Sequence, residues 1–211
     1  MTALAEQVTA QLAEHTITGI GIRESGYRYP RTVGRNARLG SHGSGGTVRL
    51  VVLETDSGVT GWGIAAGDTS DLEHLAGRSV ADLLDPAVGV VEEAAMPADF
   101  ALHDLAGRLT GRSFAALVGG GPEAESGVTP VRCYSGAIYF DDLDPAEAPR
   151  GIAAVLANCR ADHALGYRDF KLKIGRGHRW MDAEAGLRRD IEVTRAVREA
   201  YPDARILVDA N

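Results

Sequence analysis

Strands and helices alternate over residues 167–211, YRDFKLKIGRGHRWMDAEAGLRRDIEVTRAVREAYPDARILVDAN. Residues 167–175 and 204–211 are short and apolar, which is typical of strands, and 185–201 has the spacing of an amphipathic helix. Toward the N-terminus, 152–166 (IAAVLANCRADHALG) predicts another helix and 129–140 (TPVRCYSGAIYF) another strand. This order indicates parallel βα units, either in a doubly wound sheet or at the start of a (β/α)8 barrel. The absence of a GxGxxG turn after any of these strands disfavours a dinucleotide site.

The N-terminal residues carry a different pattern, which predicts a small α+β unit over 1–127. After a polar lead, Ile17 to Ser25 alternates as a half-buried strand does, and Val48 to Ala65 reads as a hairpin that turns at 56–58. Residues 26–46 are rich in glycine and arginine and predict a long loop, either a lid over a substrate or a solvated tip. Helical patterns then follow over 71–84, 88–95 and 97–109.

Composition excludes several classes of function. The 211 residues include 22 basic and 29 acidic side chains, for a net charge of -7, so we do not expect a nucleic-acid partner. No stretch reads as a targeting peptide or a membrane span, so we expect a cytoplasmic protein without a membrane partner. The two cysteines, Cys133 and Cys159, do not have the spacing of a disulfide framework or a zinc site.

The lysines are the most informative residues, because the chain has only two of them, Lys171 and Lys173, beside 20 arginines. A position that keeps lysine where arginine serves elsewhere can require a group that gives up its proton. Two residues apart on a strand, both side chains face one side of the sheet. Their like charges predict that at least one ammonium loses its proton more easily than a free lysine and can act as a general base. The alternative is a pair of lysines on a solvated strand edge.

Asp209 lies at the carboxyl end of the next predicted strand, after the apolar residues 206–208. A carboxylate at this position can offer one oxygen ligand to Mg²⁺. It is an equally good candidate for the N-cap of a following helix.

Three motifs in order resemble the enolase superfamily, in the branch of mandelate racemases and muconate lactonising enzymes: ALHDLAGRLTGRSFAALVGGG at 101–121, the KxK of 171–173, and LVDAN at 207–211. The resemblance extends from about residue 16 to the last residue. It implies an α+β capping domain over 1–127 and a (β/α)8-type barrel that begins near Val128, here truncated after its third strand.

The resemblance also implies roles for individual residues. Lys173 would be the base that removes the proton α to a substrate carboxylate, and Lys171 would lower its pKa. Asp209 would be the first Mg²⁺ ligand. The implied substrate contacts are Asn211, Tyr27 and Tyr29.

The reaction implied is an Mg²⁺-dependent proton abstraction through a metal-stabilised enediolate. We expect a small-molecule carboxylate as substrate, an acid sugar by preference, and hence a dehydratase, with racemase or cycloisomerase as the alternative. A non-catalytic binding module is the alternative of another class. We expect a homo-oligomer, an inactive fragment if the 211 residues are the whole polypeptide, and an active lyase or isomerase if they belong to a longer one.

Overall fold

The structure is a computed structural model that describes residues 3–118, 130–143 and 150–210. These residues form eight strands, six α-helices and several short 3₁₀ turns. The strands are β1 (Ile17–Val33), β2 (Gly43–Thr55), β3 (Thr60–Ile64), β4 (Leu84–Asp85), β5 (Gly89–Val90), β6 (Tyr134–Ile138), β7 (Asp169–Lys173) and β8 (Ile206–Asp209). The helices are α1 (Ala3–Ala13), α2 (Asp99–Thr110), α3 (Phe114–Leu117), α4 (Ile152–Ala164), α5 (Arg176–Arg179) and α6 (Ala183–Ala200). Short 3₁₀ turns span Leu72–Leu75, Val80–Asp82, Glu93–Ala98 and Asp141–Leu143.

The chain divides into two compact units. The first comprises Met1–Tyr27 and Thr47–Thr129, and the second comprises Arg28–Gly46 and Pro130–Asn211. The end of β1, the connection that follows it and the start of β2 therefore cluster with the βα part of the sequence. The predicted domain boundary near residue 127 stays a prediction.

The first unit is built on the sheet β1-β2-β3, with α2 packed against β3. Glycine makes this packing close: a Cβ on Gly61 would stand 2.4 Å from the Cβ of Leu105, and one on Gly63 the same distance from the Cβ of Phe100. The predicted hairpin is confirmed, since β2 and β3 pair antiparallel. The predicted helix over 97–109 is also confirmed as α2, which ends at Gly111 in the left-handed conformation.

Other predictions for the first unit were wrong. The polar lead contains the helix α1, whose Val8 and Leu12 are fully buried one turn apart. Over 71–84 there are only two 3₁₀ turns, because Gly77, with a φ of 80°, interrupts the helical conformation. In place of a helix over 88–95, the structure has β5 and the start of a 3₁₀ turn.

The predicted loop over 26–46 is also wrong at both of its ends. Strand β1 continues to Val33 and β2 begins at Gly43, so only residues 34–42 lie outside strands. Residues 22–30 of β1 are exposed throughout. Beyond Ser25, where neither face is buried, the strand has no apolar alternation from which it could have been predicted.

The second unit has the predicted alternation of strands and helices. Its sheet has the order β6-β7-β8, and both pairings are parallel. Helices α4 and α6 contact each other and share one apolar core with the sheet. The fully or almost fully buried members of that core are Ile138, Val155, Cys159, Phe170, Leu172, Val193 and Val197. None of the helices in the described residues is long and apolar enough to cross a membrane.

Candidate active site at the carboxyl ends of two parallel strands

The predicted lysines and Asp209 meet at one edge of the second sheet. Because β7 and β8 are parallel, their carboxyl ends lie side by side, and Lys173 is the register partner of Asp209. Gly175 follows in the left-handed conformation, with a φ of 100°, and turns the chain into α5. The backbone N–H of Ile174 also donates to the carbonyl oxygen of Asp209, at 2.9 Å. The backbone therefore fixes the side chains of Lys173 and Asp209 opposite each other.

Both ammonium groups bind the same carboxylate oxygen. The Nζ of Lys173 donates to Oδ2 of Asp209 at 2.8 Å, and the Nζ of Lys171 donates to it at 2.9 Å. The side chain of Lys173 is only 8% exposed, whereas those of Lys171 and Asp209 are 23% and 29% exposed. The lysines therefore face one side of the sheet, as expected, and the side chain of Lys173 is nearly inaccessible to water.

At Lys171 the neighbouring carboxylate outweighs the effect expected from the second ammonium group. Its hydrogen bond to Asp209 raises the pKa of the Lys171 ammonium above the ordinary value, although partial burial acts in the opposite direction. The sequence argument considered the like charges alone. A carboxylate between them reverses the direction for Lys171, because it stabilises the charged form.

Sequence reasoning missed an aromatic side chain at this site. The ring centroid of Tyr139, just after β6, lies 5.6 Å from the Nζ of Lys173. His42 packs edge-on against Tyr139, with the centroids 4.7 Å apart, and its Nδ1 lies 3.0 Å from the carbonyl oxygen of Gly34. The sequence could have indicated Tyr139 only by its position at the end of a predicted parallel strand. Its contact with His42 joins residues that are far apart in the chain and gives no local sequence signal.

A buried arginine supports the end of β7. Arg176 is fully buried, and its guanidinium binds the carboxylate of Asp142, with Nη2 to Oδ1 at 2.6 Å, and Oδ1 of Asp190, with Nη1 at 2.5 Å. The guanidinium also stacks on Phe140, with Cζ 4.2 Å from the ring centroid. Since Asp190 also accepts the N–H of Gly175 at 2.8 Å, this cluster fixes the turn that follows Lys173.

The described residues fit a metal ion only in part. Asp209 has the hard carboxylate oxygens that Mg²⁺ prefers. Within residues 3–118, 130–143 and 150–210, no group of three His, Cys, Asp or Glu side chains is placed to hold a metal ion. Asp209 can therefore serve as one ligand, and the other ligands would have to come from elsewhere.

The other predicted substrate contacts stay predictions. Tyr27 and Tyr29 lie two residues apart on β1 and are 42% and 37% exposed. Tyr27 belongs to the first unit and Tyr29 to the second. Asn211 lies outside the described residues.

Comparison with solved structures shows what this fold is similar to. A mutant of galacturonate dehydratase from a Geobacillus species, complexed with Mg, is 31% identical over 94% of this chain, with a TM-score of 0.82. A mandelate racemase/muconate lactonizing protein from Geobacillus, complexed with magnesium and tartrate, is also 31% identical over 94% of the chain, with a TM-score of 0.83. The resemblance to this branch of the enolase superfamily is therefore confirmed over 94% of the chain. Comparison with family models and with curated proteins found no match.

Other members of the superfamily show the same likeness at lower identity. An enolase from Mycobacterium smegmatis, complexed with tartrate, is 25% identical over 93% of the chain, with a TM-score of 0.61. The chain covers 51% of that enolase and 52% of each Geobacillus protein. It therefore spans about half the length of these superfamily relatives.

Proposed function

We propose that this chain contributes to an Mg²⁺-dependent enzyme that removes the proton α to a substrate carboxylate, and that the reaction is the dehydration of an acid sugar. The observation that carries the proposal is the convergence of Lys171 and Lys173 on one oxygen of Asp209 at the carboxyl ends of β7 and β8. In a (β/α)8 barrel that end of the strands carries the catalytic groups. The parallel β6-β7-β8 sheet would form the first part of such a barrel.

In this proposal Lys173 is the base. Its Nζ lies at the end of its strand, and its low exposure keeps water away from the atom that would accept the proton. Lys171 is more exposed and binds the same carboxylate. It would hold the substrate carboxylate by its positive charge.

Asp209 would hold Mg²⁺ as one ligand, together with residues that the described part of the chain does not contain. Removal of a proton α to a carboxylate creates a dianion, and bound Mg²⁺ would supply the positive charge that stabilises it. The hydrogen bonds that the two lysines donate to Oδ2 hold the carboxylate of Asp209 in its position.

The preference for dehydration has support from the relatives. Galacturonate dehydratase from Geobacillus, which is 31% identical to this chain, acts on an acid sugar by its name. Racemisation and cycloisomerisation begin with the same proton abstraction and remain the alternatives. They differ in the acid or base that acts on the intermediate, and no residue described in this chain is assigned to that role.

Exchange of the substrate α-proton with deuterated solvent tests the proposal. The natural polypeptide that contains these residues, its intact mass measured first, is incubated with Mg²⁺ and a panel of acid sugars, and exchange is followed by NMR. We expect Lys173→Met to lower the exchange rate by about 10²–10⁴-fold, the usual contribution of a general base.

Arg168→Gln provides the matched control, because within the described residues Arg168 donates to the backbone carbonyl oxygens of His163 and Tyr167 and to no side chain. It should leave exchange unchanged. Absence of exchange with every acid sugar, or full exchange in Lys173→Met, would contradict the proposal and favour a non-catalytic binding module.

A further inference from the structure

Strand β6 has an extra residue relative to its neighbour β7. Ser135 is the register partner of Phe170, and Ile138 is the register partner of Leu172, so three steps along β6 match two steps along β7. Successive side chains of a strand point to opposite faces, and one extra residue reverses this alternation. The side chains beyond the irregularity therefore lie on the face opposite to the one that regular alternation would give them.

The irregularity determines the face on which Tyr139 lies. Ser135 is buried and donates to Asp162 of α4, and Ile138 is buried in the core that the helices share with the sheet. Regular alternation from Ser135 would place Tyr139 on this helix-covered face as well. Tyr139 instead follows Ile138 onto the opposite face, where its ring centroid lies 5.6 Å from the Nζ of Lys173. A bulge can re-aim a side chain toward an active site in this way.

A buried ion pair connects the chain after β6 to the chain after β7. Asp142 follows Tyr139 by three residues, and Arg176 follows Lys173 by three residues. Both charged side chains are fully buried, with Nη2 of Arg176 2.6 Å from Oδ1 of Asp142 and Nε 3.1 Å from Oδ2. The ladder between the two strands ends at Ile138. Beyond that point, this two-fold contact fixes the spacing of the two chain segments.

Arg176 also contacts the end of β7 directly. Its Nη1 lies 3.5 Å from the carbonyl oxygen of Lys173 and 2.5 Å from Oδ1 of Asp190. The other oxygen of Asp190 accepts the N–H of Gly175 at 2.8 Å. The guanidinium that binds Asp142 therefore also fixes the backbone at the residue that carries the candidate base.

The ring of Tyr139 contacts the candidate base with its face. The edge-on contact with His42, at 4.7 Å between centroids, limits the rotation of the ring. A ring face attracts an ammonium group, which is the form that Lys173 would take when it accepts a proton. Asp209, which binds the same Nζ at 2.8 Å, is assigned to Mg²⁺ in the proposed function. The ring has no such second ligand, so its contact with Nζ does not depend on the metal.

We propose that Tyr139 is a positioning residue for the base Lys173, set in place by the extra residue of β6 and by the buried pair of Asp142 and Arg176. This inference rests on the proposed function for the role of Lys173. Because the contact is made by the ring, the phenol hydroxyl is not required. Tyr139→Phe should therefore retain what Tyr139→Leu loses.

The first test separates the exchange rate from substrate binding. The natural polypeptide is assayed for α-proton exchange with Mg²⁺ and the acid sugar of the panel that exchanges fastest. We expect Tyr139→Leu to lower the rate at saturating substrate by about 10–100-fold, because a displacement of about 1 Å in a catalytic group can cost about 100-fold. KM should change by less than about twofold, since the ring would act on the base and not on bound substrate.

Two further variants accompany this measurement. Tyr139→Phe should retain most of the exchange rate. Tyr167→Leu is the matched control, because Tyr167 precedes β7 and so lies at the opposite end of the strand from Lys173. It should exchange at the unsubstituted rate.

The second test uses NMR and needs no substrate. The chain has only two lysines, so labelling with ¹³C-lysine gives few signals, and the Hε protons of Lys173 are identified by their loss in Lys173→Arg. Protons over a ring face resonate upfield. Tyr139→Leu should therefore move the Lys173 signal downfield, and Tyr139→Phe should leave it in place.

The same signal tests the buried pair. Arg176→Lys keeps the charge but loses the two-fold contact with Asp142, so it should move the Lys173 signal part of the way toward its position in Tyr139→Leu. Arg188→Lys is the matched control, because Arg188 forms an exposed pair with Glu184. It should leave the signal unchanged. A signal that stays in place in a folded Arg176→Lys would overturn the part assigned to the buried pair.

The outcomes separate the two proposals. Equal exchange in Tyr139→Leu and Tyr167→Leu, or an equal loss in Tyr139→Phe and Tyr139→Leu, would overturn the positioning role. An unchanged Lys173 signal in Tyr139→Leu would overturn it as well, and the Tyr139 variants decide even where Arg176→Lys does not fold. A signal that moves in Tyr139→Leu, without exchange in the unsubstituted protein, would support the placement of Tyr139 and overturn the proposed reaction.

Discussion

Lys173 and Asp209 are register partners on adjacent parallel strands, and their side chains form an ion pair of 2.8 Å at the point where both strands end. The carboxylate also binds Lys171, so three charged groups depend on one another at the edge of the sheet. Removal of the single negative charge leaves two positive charges on one face, one of them nearly buried.

Asp209→Asn should therefore destabilise the chain. We expect the free energy of unfolding to fall by about 1–3 kcal/mol, less than for a fully buried pair because the carboxylate is partly exposed. Chemical denaturation followed by circular dichroism measures the change. Asp203→Asn serves as the control, since Asp203 is exposed, and an equal change in the two variants would show that the ion pairs contribute little.

The pKa of Lys171 predicts a pH dependence of stability. Asp209 raises this pKa above its ordinary value of 10.5, so folding favours the charged ammonium. The contribution to stability is complete below the ordinary pKa and is lost as the pH rises through the higher pKa of the folded state. The difference in unfolding free energy between the unsubstituted chain and Lys171→Met should be constant up to about pH 9.5 and should shrink from there to about pH 12. A difference that stays constant over this range would contradict the assignment.

Arg176→Met should be among the most destabilising substitutions in the second unit. It leaves the fully buried carboxylate of Asp142 without its main cationic partner and removes the stacking on Phe140. We expect a loss of about 3–5 kcal/mol in unfolding free energy, measured by denaturant titration. Arg188→Met, which breaks only an exposed pair with Glu184 one turn away, should cost about 0.5 kcal/mol or less. Similar losses in both variants would contradict this account of the cluster.

The two thiols should differ sharply in reactivity. Burial raises the pKa of Cys159 to about 12, and the side chain is inaccessible in the core between α4 and the sheet. Cys133 is exposed. A thiol reagent such as DTNB should therefore titrate one equivalent in the folded chain and two after denaturation. Rapid reaction of two thiols in the native chain would show that the core of the second unit opens readily.

The sequence predicted the second unit well because its elements carry local signals. Strands β6, β7 and β8 are short and apolar, helix α6 is amphipathic, and the strict alternation of strands and helices predicts parallel pairing. The position of Lys173 opposite Asp209 then follows from the geometry of parallel strands.

The features that the sequence did not predict depend on contacts between distant residues or on patterns without an apolar face. The part of β1 after Ser25 has no apolar alternation, and α1 buries only a few residues of a polar segment. The fully buried pair of Arg176 and Asp142 joins charged residues 34 positions apart, and charged residues are normally expected at the surface. The raised pKa of Lys171 required knowledge of where the carboxylate of Asp209 points.

The two lysines have a consequence for proteolysis. A lysine-specific protease has only two cleavage sites in this chain, after Lys171 and Lys173, and both lie in β7, the central strand of its sheet. A strand paired on both sides does not fit a protease cleft unless the sheet opens. The rate at which such a protease cuts the chain therefore measures how often the second unit opens, with every cut falling beside the candidate base.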